Sequence, residues 1–362
     1  MTEHVSVRQV MLWLVMYQIG SAFLLLPSAL AGIAGRDAWL SVAISVAAHL
    51  LLIPLYAAIA RQMRGRSFSE YLCGILGKWG GTALSVSFMA VVPFLIFIMT
   101  LRNLADYVLT SIAPDMSEDV IYAVMLVAVF IAVRAGAQVV GRSAEILFFI
   151  LPVLYLIVTV TLLPTTRPDL LLPVAEYGWK PILRASFPLL AFPYLETVLF
   201  LAFVPYMKDS RAWSKAVLRS GLISGAMYLI MMIHVIAVVG GKVAANMTFA
   251  SYLVVRTISI GDFIERFEIV VAIIWYISIF FRLTLLLLIA VRETAIALRL
   301  KEESALLIPA MLIAFVMAPS IWPNLAYLYD MFRTWPSYAM TFGIVLPAVL
   351  WLVGRARGGQ HA

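Results

Sequence analysis

The stretch IGSAFLLLPSAL, residues 19–30, lies inside an apolar run (7–33) that is long enough to cross a lipid bilayer. Three residues in it, Gly20, Ser21 and Pro27, weaken or break a helix. In lipid an unpaired backbone group costs several kcal/mol, so a break is tolerated only where protein or water lines it. The stretch therefore predicts a membrane helix with a break that is lined by protein or water.

The composition predicts a helical protein that crosses the membrane many times. The 362 residues are 64% hydrophobic and 12% charged, with a mean hydropathy of +1.01, whereas about 25% of the residues in a soluble protein are charged. The net charge of +7 and pI of about 9.5 would suit nucleic acid. However, the basic residues lie in short loops between apolar segments, so they indicate membrane topology, and no nucleic-acid partner is expected.

The sequence offers little for catalysis or for a cofactor. A single cysteine, Cys73, excludes an internal disulfide and a CxxC metal site. The four histidines lack metal-ligand spacing, and no nucleophile is paired with a base. We therefore predict no enzyme activity, no metal and no cofactor. The first apolar segment is too long for a signal peptide and has no cleavage site, so we expect it to be retained.

Ten segments qualify as membrane spans, the fourth being shorter than the usual ~20 residues. They are 7–33, 39–60, 81–110, 120–133, 146–163, 188–207, 216–240, 267–291, 305–322 and 338–353. With a cytoplasmic N-terminus, sixteen Lys and Arg residues fall on the inner side and nine on the outer side, so both termini are predicted to be cytoplasmic.

The longest outer loop, 241–268, carries Phe249, Leu253, Ile258 and Ile260 among polar residues. This pattern favours a short amphipathic helix that lies over the outer mouth, because long loops in compact proteins are usually functional. The alternative is a plain connector that packs against the bundle.

The sixth span repeats the interruption of the first. Its stretch AFPYLETVLF (191–200) places Pro193 and Glu196 near the middle of an apolar run. The two broken spans are five spans apart, and five is odd, so two five-span halves would have opposite orientations in the membrane. We predict one transmembrane domain (1–362) built as an inverted repeat, with halves at about 1–164 and 165–362 and a substrate site between the breaks.

A broken helix exposes backbone groups that suit a small zwitterion. The amides at the start of one half-helix suit a carboxylate, and the carbonyls at the end of the other suit an ammonium group. An amino acid matches both. The alternative is a harmless kink, since proline and glycine are frequent in membrane helices.

Four ionisable residues lie deep in the spans: Glu196, Arg282, His49 and His234. Arg282 keeps its proton and needs an anionic partner, either Glu196 or a substrate carboxylate. A purely structural pair that locks two helices is the alternative. The histidines could relay protons, but a packing role is favoured. Arg102 and Asp106, four residues apart, are predicted to form a local ion pair.

Four stretches of the sequence resemble known membrane-protein families. The stretch 19–32 resembles the broken first helix of the amino acid–polyamine–organocation superfamily. The stretches FSEYLCGILGKWGG (68–81), LETVLFLAFVPYMKD (195–209) and ISIGDFIERFEIVVAIIW (258–275) are similar to the endospore germination permeases, the B subunits of nutrient germinant receptors. The similarity covers nearly the whole chain.

The resemblance implies a LeuT-like fold in the inner membrane of a bacterial spore. It also implies assembly with an A-type subunit and a lipoprotein C-type subunit, and a transporter-like site for a nutrient such as an amino acid. Matched by motif, the site residues are Gly20, Ser21, Ala22, Phe192, Pro193, Tyr194, Glu196 and Arg282. The first helix of the superfamily has roughly the pattern Gly-x-Gly, an apolar run and Leu-Pro, and Ala22 stands where its second glycine is expected. Pro193 and Tyr194 stand where a small residue is usual, so we expect a narrower pocket.

Two functions share this fold. The first is a germinant-sensing subunit that triggers spore germination, which the resemblance favours. The second is a proton-coupled amino-acid transporter, in which Glu196 would be the residue that couples transport to protons.

Overall fold

The computed structural model describes residues 5–207, 210–256 and 268–358, and the regular elements of these residues are all helical. In chain order the α-helices are α1 (Val7–Ile19), α2 (Ala22–Ala34), α3 (Ala38–Met63), α4 (Phe68–Leu76), α5 (Lys78–Met89), α6 (Leu95–Ser111), α7 (Glu118–Ala135), α8 (Ala137–Phe148), α9 (Ile150–Leu162), α10 (Trp179–Leu189), α11 (Ser210–Val239), α12 (Gly241–Ala245), α13 (Ala250–Val255), α14 (Glu268–Leu298), α15 (Ser304–Met317), α16 (Leu325–Met340) and α17 (Leu346–Gly358).

The protein is an integral membrane protein. Seven helical stretches of the described residues are long and apolar enough to cross a membrane: 22–63, 78–111, 137–165, 179–206, 211–239, 268–298 and 325–357. The first of these joins the second half of predicted span one to span two. Predicted span four (α7) is outside this set, and span nine (α15) forms a shorter apolar helix. The membrane class is confirmed, and the number ten stays a prediction.

The first predicted break is present. Helix α1 ends at Ile19 and α2 begins at Ala22, with Gly20 at φ 2° and ψ −133° between them. The Gly20 N–H still donates to the Met16 carbonyl at 3.1 Å, and the chain then starts a new helix. Pro27 lies inside α2 and does not end it, so the interruption comes from the Gly20–Ser21 pair.

The second predicted break is also present. Helix α10 ends at Leu189, and a wide π-helical turn (Leu190–Tyr194) leads into a 3-10 helix (Leu195–Tyr206). Phe192 inside the turn has extended dihedrals, φ −139° and ψ 104°. Pro193 follows it, where a continued α-helix would need the amide that proline lacks. This span is almost entirely buried within the bundle, in contrast to 137–165 at its periphery.

The packing places both breaks at the centre of the bundle. Helix α1 packs against α11 and α14, and α10 packs against α2 and α3. Arg282 in the middle of α14 donates to the Tyr17 carbonyl near the end of α1.

The predicted outer loop contains the short helices α12 and α13, and its position over the outer mouth stays a prediction. Phe249 precedes α13, Leu253 lies within it, and the Ser251 hydroxyl donates to the Phe23 carbonyl of α2 at 2.9 Å. Ile258 and Ile260 lie outside the described residues.

Candidate ligand site between the two helix breaks

A buried ion pair joins the second break to α14. The Arg282 Nη2 atom lies 2.6 Å from Glu196 Oε2, and both side chains are 0% exposed. Burying two charges is expensive unless the pair is tight and its remaining atoms are hydrogen-bonded. The nitrogen atoms of Arg282 meet that requirement, whereas Glu196 Oε1 has no hydrogen-bond partner among the described residues.

Besides Glu196 and Phe192, Arg282 contacts two residues that the sequence did not single out, Tyr17 and Thr100. Its Nη1 donates to the Tyr17 carbonyl at 3.2 Å, and its Nε donates to Thr100 Oγ1 at 3.3 Å. The Tyr17 hydroxyl donates to Glu196 Oε2 at 2.6 Å. The guanidinium carbon lies 4.3 Å from the Tyr17 ring centre and 4.7 Å from that of Phe192, both within cation–π range. Arg282 is thus bonded to both breaks and to α6.

Gly20 leaves the space that Arg282 fills. A Cβ atom at this position would lie 2.8 Å from Arg282 Cδ and 3.0 Å from the Tyr17 carbonyl oxygen. Ser21 and Ala22 beside it are fully buried, and the Ser21 hydroxyl has no hydrogen-bond partner among the described residues. The glycine therefore serves a close approach of Arg282 to the end of α1.

The carbonyls at the end of α1 are already paired. Arg282 bonds the Tyr17 carbonyl, and the Tyr228 hydroxyl donates to those of Gln18 and Ile19 at 2.7 and 3.3 Å. In this conformation protein donors bond these carbonyls, and the expectation that they receive a ligand ammonium group stays a prediction.

Tyr194 points away from the ion pair. Its ring stacks on His49 with centroids 4.5 Å apart, and its hydroxyl lies 3.4 Å from Ser224 Oγ. Phe192, by contrast, covers Arg282 on one side and lies 6.4 Å from the Phe332 ring. Pro193 between them is buried. Tyr194 therefore packs the second break against α3 and α11, whereas Phe192 faces the ion pair.

The remaining predicted polar residues have local contacts. His49 lies in the Tyr194 stack, and His234 Nδ1 is 2.8 Å from the Ile230 carbonyl one turn earlier, so the contacts of both are packing contacts. The predicted pair of Arg102 with Asp106 is confirmed at 3.1 Å, and Glu118 adds a second carboxylate 2.7 Å from Arg102.

Two cavities meet at Phe332. A small buried cavity of about 20 Å³ borders Glu196, Asn103, Thr100 and Phe192. A large cavity of about 1090 Å³ opens on the predicted outer side, between α2, α10 and α16. The Phe332 side chain lines both. The small cavity has room for a water molecule and not for an amino acid, so the site is closed in this conformation.

The described residues contain no group of three or more His, Cys, Asp or Glu side chains that could hold a metal ion. At the breaks the candidate site consists of one ion pair, a few hydrogen-bonding groups and several aromatic rings. Tyr17 and Thr100 belong to it, although sequence analysis missed them. Tyr17 could have been predicted from the sequence, because it lies one helical turn before Gly20 at the first break.

Comparisons of the sequence with known proteins show its family. Residues 4–324 match the family model described as "Spore germination protein". The chain is 28% identical over 357 residues to spore germination protein KB of Bacillus subtilis (strain 168), covering 96% of this chain and 94% of that protein. It is 25% identical over 356 residues to spore germination protein GerQB of Bacillus cereus, covering 98% and 96%.

A solved structure shares the fold. The crystal structure of MhsT in complex with L-phenylalanine superposes with a TM-score of 0.71 at 15% identity, covering 97% of this chain and 89% of that one. At this identity the likeness concerns the fold alone, and it confirms the LeuT-like arrangement.

Proposed function

Since this chain belongs to the spore germination protein family, we propose that it is the germinant-sensing membrane subunit of a spore germination receptor. The observation that carries the proposal is the closed site between two broken helices, where Arg282 ties the end of α1 to Glu196 of the second break. A nutrient that enters this site contacts both halves of the bundle at once. Binding is therefore coupled to the relative position of the halves, as a sensor requires.

The proposed site comprises residues of both breaks and of α14. They are Gly20, Ser21, Ala22, Phe192, Pro193, Glu196 and Arg282, with Tyr194 supporting the second break from behind. A small nutrient, such as an amino acid, reaches them from the outer cavity once Phe332 moves aside. The role is binding and signalling rather than catalysis.

Membership of the family supports a proposal for the location and the partners. We place the protein in the inner membrane of the spore, with both termini cytoplasmic and lipid around the bundle. An A-type subunit and a lipoprotein C-type subunit complete the receptor and receive the conformational signal.

Deletion of the coding sequence tests this proposal. We expect spores without the chain to lose germination to one nutrient and to keep their response to other triggers. A complementing copy should restore the lost response, and a copy with Arg282→Met should not. Unchanged germination of the deletion strain with every nutrient would refute the sensing role.

A proton-coupled amino-acid transporter is the second candidate. Two observations favour it: a fold shared with MhsT, which was crystallised with L-phenylalanine, and a fully buried carboxylate at Glu196. The two candidates differ in vesicles that contain the purified protein. Sensing predicts binding without accumulation, whereas accumulation of an amino acid driven by an imposed proton gradient would establish transport.

A further inference from the structure

Six exposed basic residues lie at one corner of the bundle, where α3 and α17 end and α4 and α5 begin. Tyr71 of α4 joins two of these elements, because its Oη atom lies 2.7 Å from Gln62 Oε1 of α3 and 3.1 Å from the Leu350 carbonyl oxygen of α17. Helix α5 packs closely on α4, since a Cβ atom added to Gly81 would collide with the Cys73 backbone. The six residues of this basic corner are Arg61, Arg64, Arg66, Lys78, Arg355 and Arg357.

The charge of the basic corner is nearly uncompensated. Glu70 is the one exposed carboxylate among the described residues of 57–80 and 346–358, and its Oε2 atom accepts from the Ser67 N–H at 2.8 Å. None of the six basic residues pairs with a carboxylate of the described residues, whereas Arg292 of α14 lies 2.8 Å from Glu303. Like charges that are held close together repel each other unless an anion neutralises them. The corner is therefore suited to an anionic partner.

The basic corner lies at the predicted membrane boundary. Its residues directly follow the predicted spans 39–60 and 338–353 or precede span 81–110. Trp79 is 85% exposed, and the Lys78 Nζ atom beside it lies 5.9 Å from the centre of the indole ring. Tryptophan is enriched where the polar headgroups of a bilayer meet its hydrocarbon core. The corner thus places positive charges and an amphipathic ring at the level of lipid headgroups.

This position favours lipid over a water-soluble anion. A nucleic acid or an acidic protein would supply negative charge and no hydrocarbon for the exposed Trp79 ring. An anionic phospholipid supplies both, since its phosphate accepts hydrogen bonds from arginine and lysine while its acyl chains begin beside the ring.

We propose that the basic corner binds the headgroups of anionic phospholipids such as phosphatidylglycerol. Clusters of four to eight Lys and Arg residues next to membrane helices are typical of such binding. The leaflet is the one that the distribution of basic residues predicts to be cytoplasmic. This binding is independent of the proposed sensing role, and it differs from general contact with lipid because it selects the charge of the headgroup.

Lipid titration tests the proposal on the purified full-length protein in micelles of a neutral detergent. The probes are dioleoylphosphatidylglycerol, the zwitterionic dioleoylphosphatidylcholine, the headgroup fragment glycerol 1-phosphate and, as an acidic polypeptide, poly-L-glutamate. We expect phosphatidylglycerol to bind at least about tenfold more tightly than phosphatidylcholine, as one additional hydrogen bond between charged groups implies. Native mass spectrometry counts the bound lipids, and the rise in unfolding temperature reports the affinity. Potassium chloride at about 1 M should weaken the binding, because it shortens the Debye length to about 3 Å.

Two triple variants locate the site. The first removes one charge from each of α3, α5 and α17, and it should weaken phosphatidylglycerol binding at least about tenfold without changing phosphatidylcholine binding; it combines Arg61→Gln, Lys78→Gln and Arg355→Gln. The matched control removes three exposed basic residues of α11 on the same predicted side, and it should bind phosphatidylglycerol like the wild type; it combines Arg211→Gln, Lys215→Gln and Arg219→Gln.

The unfolding temperature without lipid shows that both triple variants fold. If the first one does not, Lys78→Gln at the exposed first residue of α5 replaces it, with Lys215→Gln as its control.

Three results would overturn the proposal. Equal binding of the two phospholipids would remove headgroup charge from recognition. An equal loss in the two triple variants would show attraction by net charge and no site at this corner. If glycerol 1-phosphate or poly-L-glutamate binds as tightly as phosphatidylglycerol, with the same loss in the corner variant, the surface takes a soluble anion or an acidic protein and not lipid.

Discussion

Arg282 and Glu196, 86 residues apart in the chain, are joined by a 2.6 Å contact in the fully buried centre of the bundle. One residue belongs to a continuous helix and the other to a broken one. Tyr17 completes the arrangement from the first broken helix, because it donates to Glu196 and accepts from Arg282. Three segments from distant parts of the sequence thus depend on one another at the proposed site.

The buried ion pair predicts strong destabilisation when one partner is removed. Arg282→Met should lower the free energy of unfolding by about 3–5 kcal/mol, because it strands the Glu196 carboxylate. Arg282→Met with Glu196→Gln leaves no charge unpaired, so stability should recover while the germination response stays lost. Thermal unfolding of the purified variants and germination assays measure the two effects. A double variant that germinates normally would make the pair purely structural.

Arg282→Lys is a finer variant of the same test. It keeps the charge but loses the planar fork that contacts Glu196, Tyr17 and Thr100 together. We expect a near-normal membrane level and a weaker response, seen as a higher nutrient concentration for half-maximal germination. The level is read by immunoblot of spore membranes. A wild-type dose response would show that the fork is not needed.

Gly20 is predicted to tolerate no side chain. Because an added Cβ would lie 2.8 Å from Arg282 Cδ, Gly20→Ala should displace Arg282, and Gly20→Leu should do so more strongly. The expected outcome is a protein present at normal level with a lost nutrient response. Gly32→Ala is the control, since nothing lies within 4 Å of its added Cβ. If Gly20→Leu germinates like Gly32→Ala, the break at residues 20–21 is only a tolerated kink.

A second buried carboxylate anchors α4. Glu293, 1% exposed on α14, accepts from the Ser69 backbone N–H at 2.8 Å and from the Ser69 hydroxyl at 2.7 Å. Ser69→Ala should cost about 1.5–3 kcal/mol, as expected for a hydrogen bond to a charged group, and should speed hydrogen exchange in α4. Ser143→Ala is the control, because the hydroxyl of this half-buried residue donates to the Val139 carbonyl of its own helix and forms no hydrogen bond with another helix among the described residues. Equal α4 exchange in the two variants would contradict the anchoring role.

Cysteine labelling tests the predicted orientation of the chain in the membrane. In a Cys73→Ser background, a cysteine at Lys242 should react with an impermeant thiol reagent from outside, and one at Arg64 only from the cytoplasmic side. Both positions are exposed in the structure, so access depends on the side of the membrane. The reverse pattern would show that the basic-residue asymmetry was misread.

The sequence by itself determined the membrane class, the positions of the two breaks and the family. Each depends on information that is local in the chain. Hydropathy identifies apolar runs, and Gly20, Ser21 and Pro193 mark where a helix loses propensity or a hydrogen-bond donor. Glu196 and Arg282 were recognisable because an ionisable residue deep in an apolar run is too costly to be incidental.

Only the tertiary structure decided which of these residues meet. Phe192 packs over Arg282, whereas Tyr194, two residues later, stacks on His49. Nothing in the sequence predicts that these two aromatic residues have different neighbours. The difference comes from the local path of the broken helix. The pairing of Tyr17 and Thr100 with Arg282, and of Tyr228 with the α1 carbonyls, likewise joins helices that are distant in the chain. Such contacts depend on how the helices pack and rotate against each other. Helical periodicity predicts the face on which a residue lies, but not which other helix packs against that face.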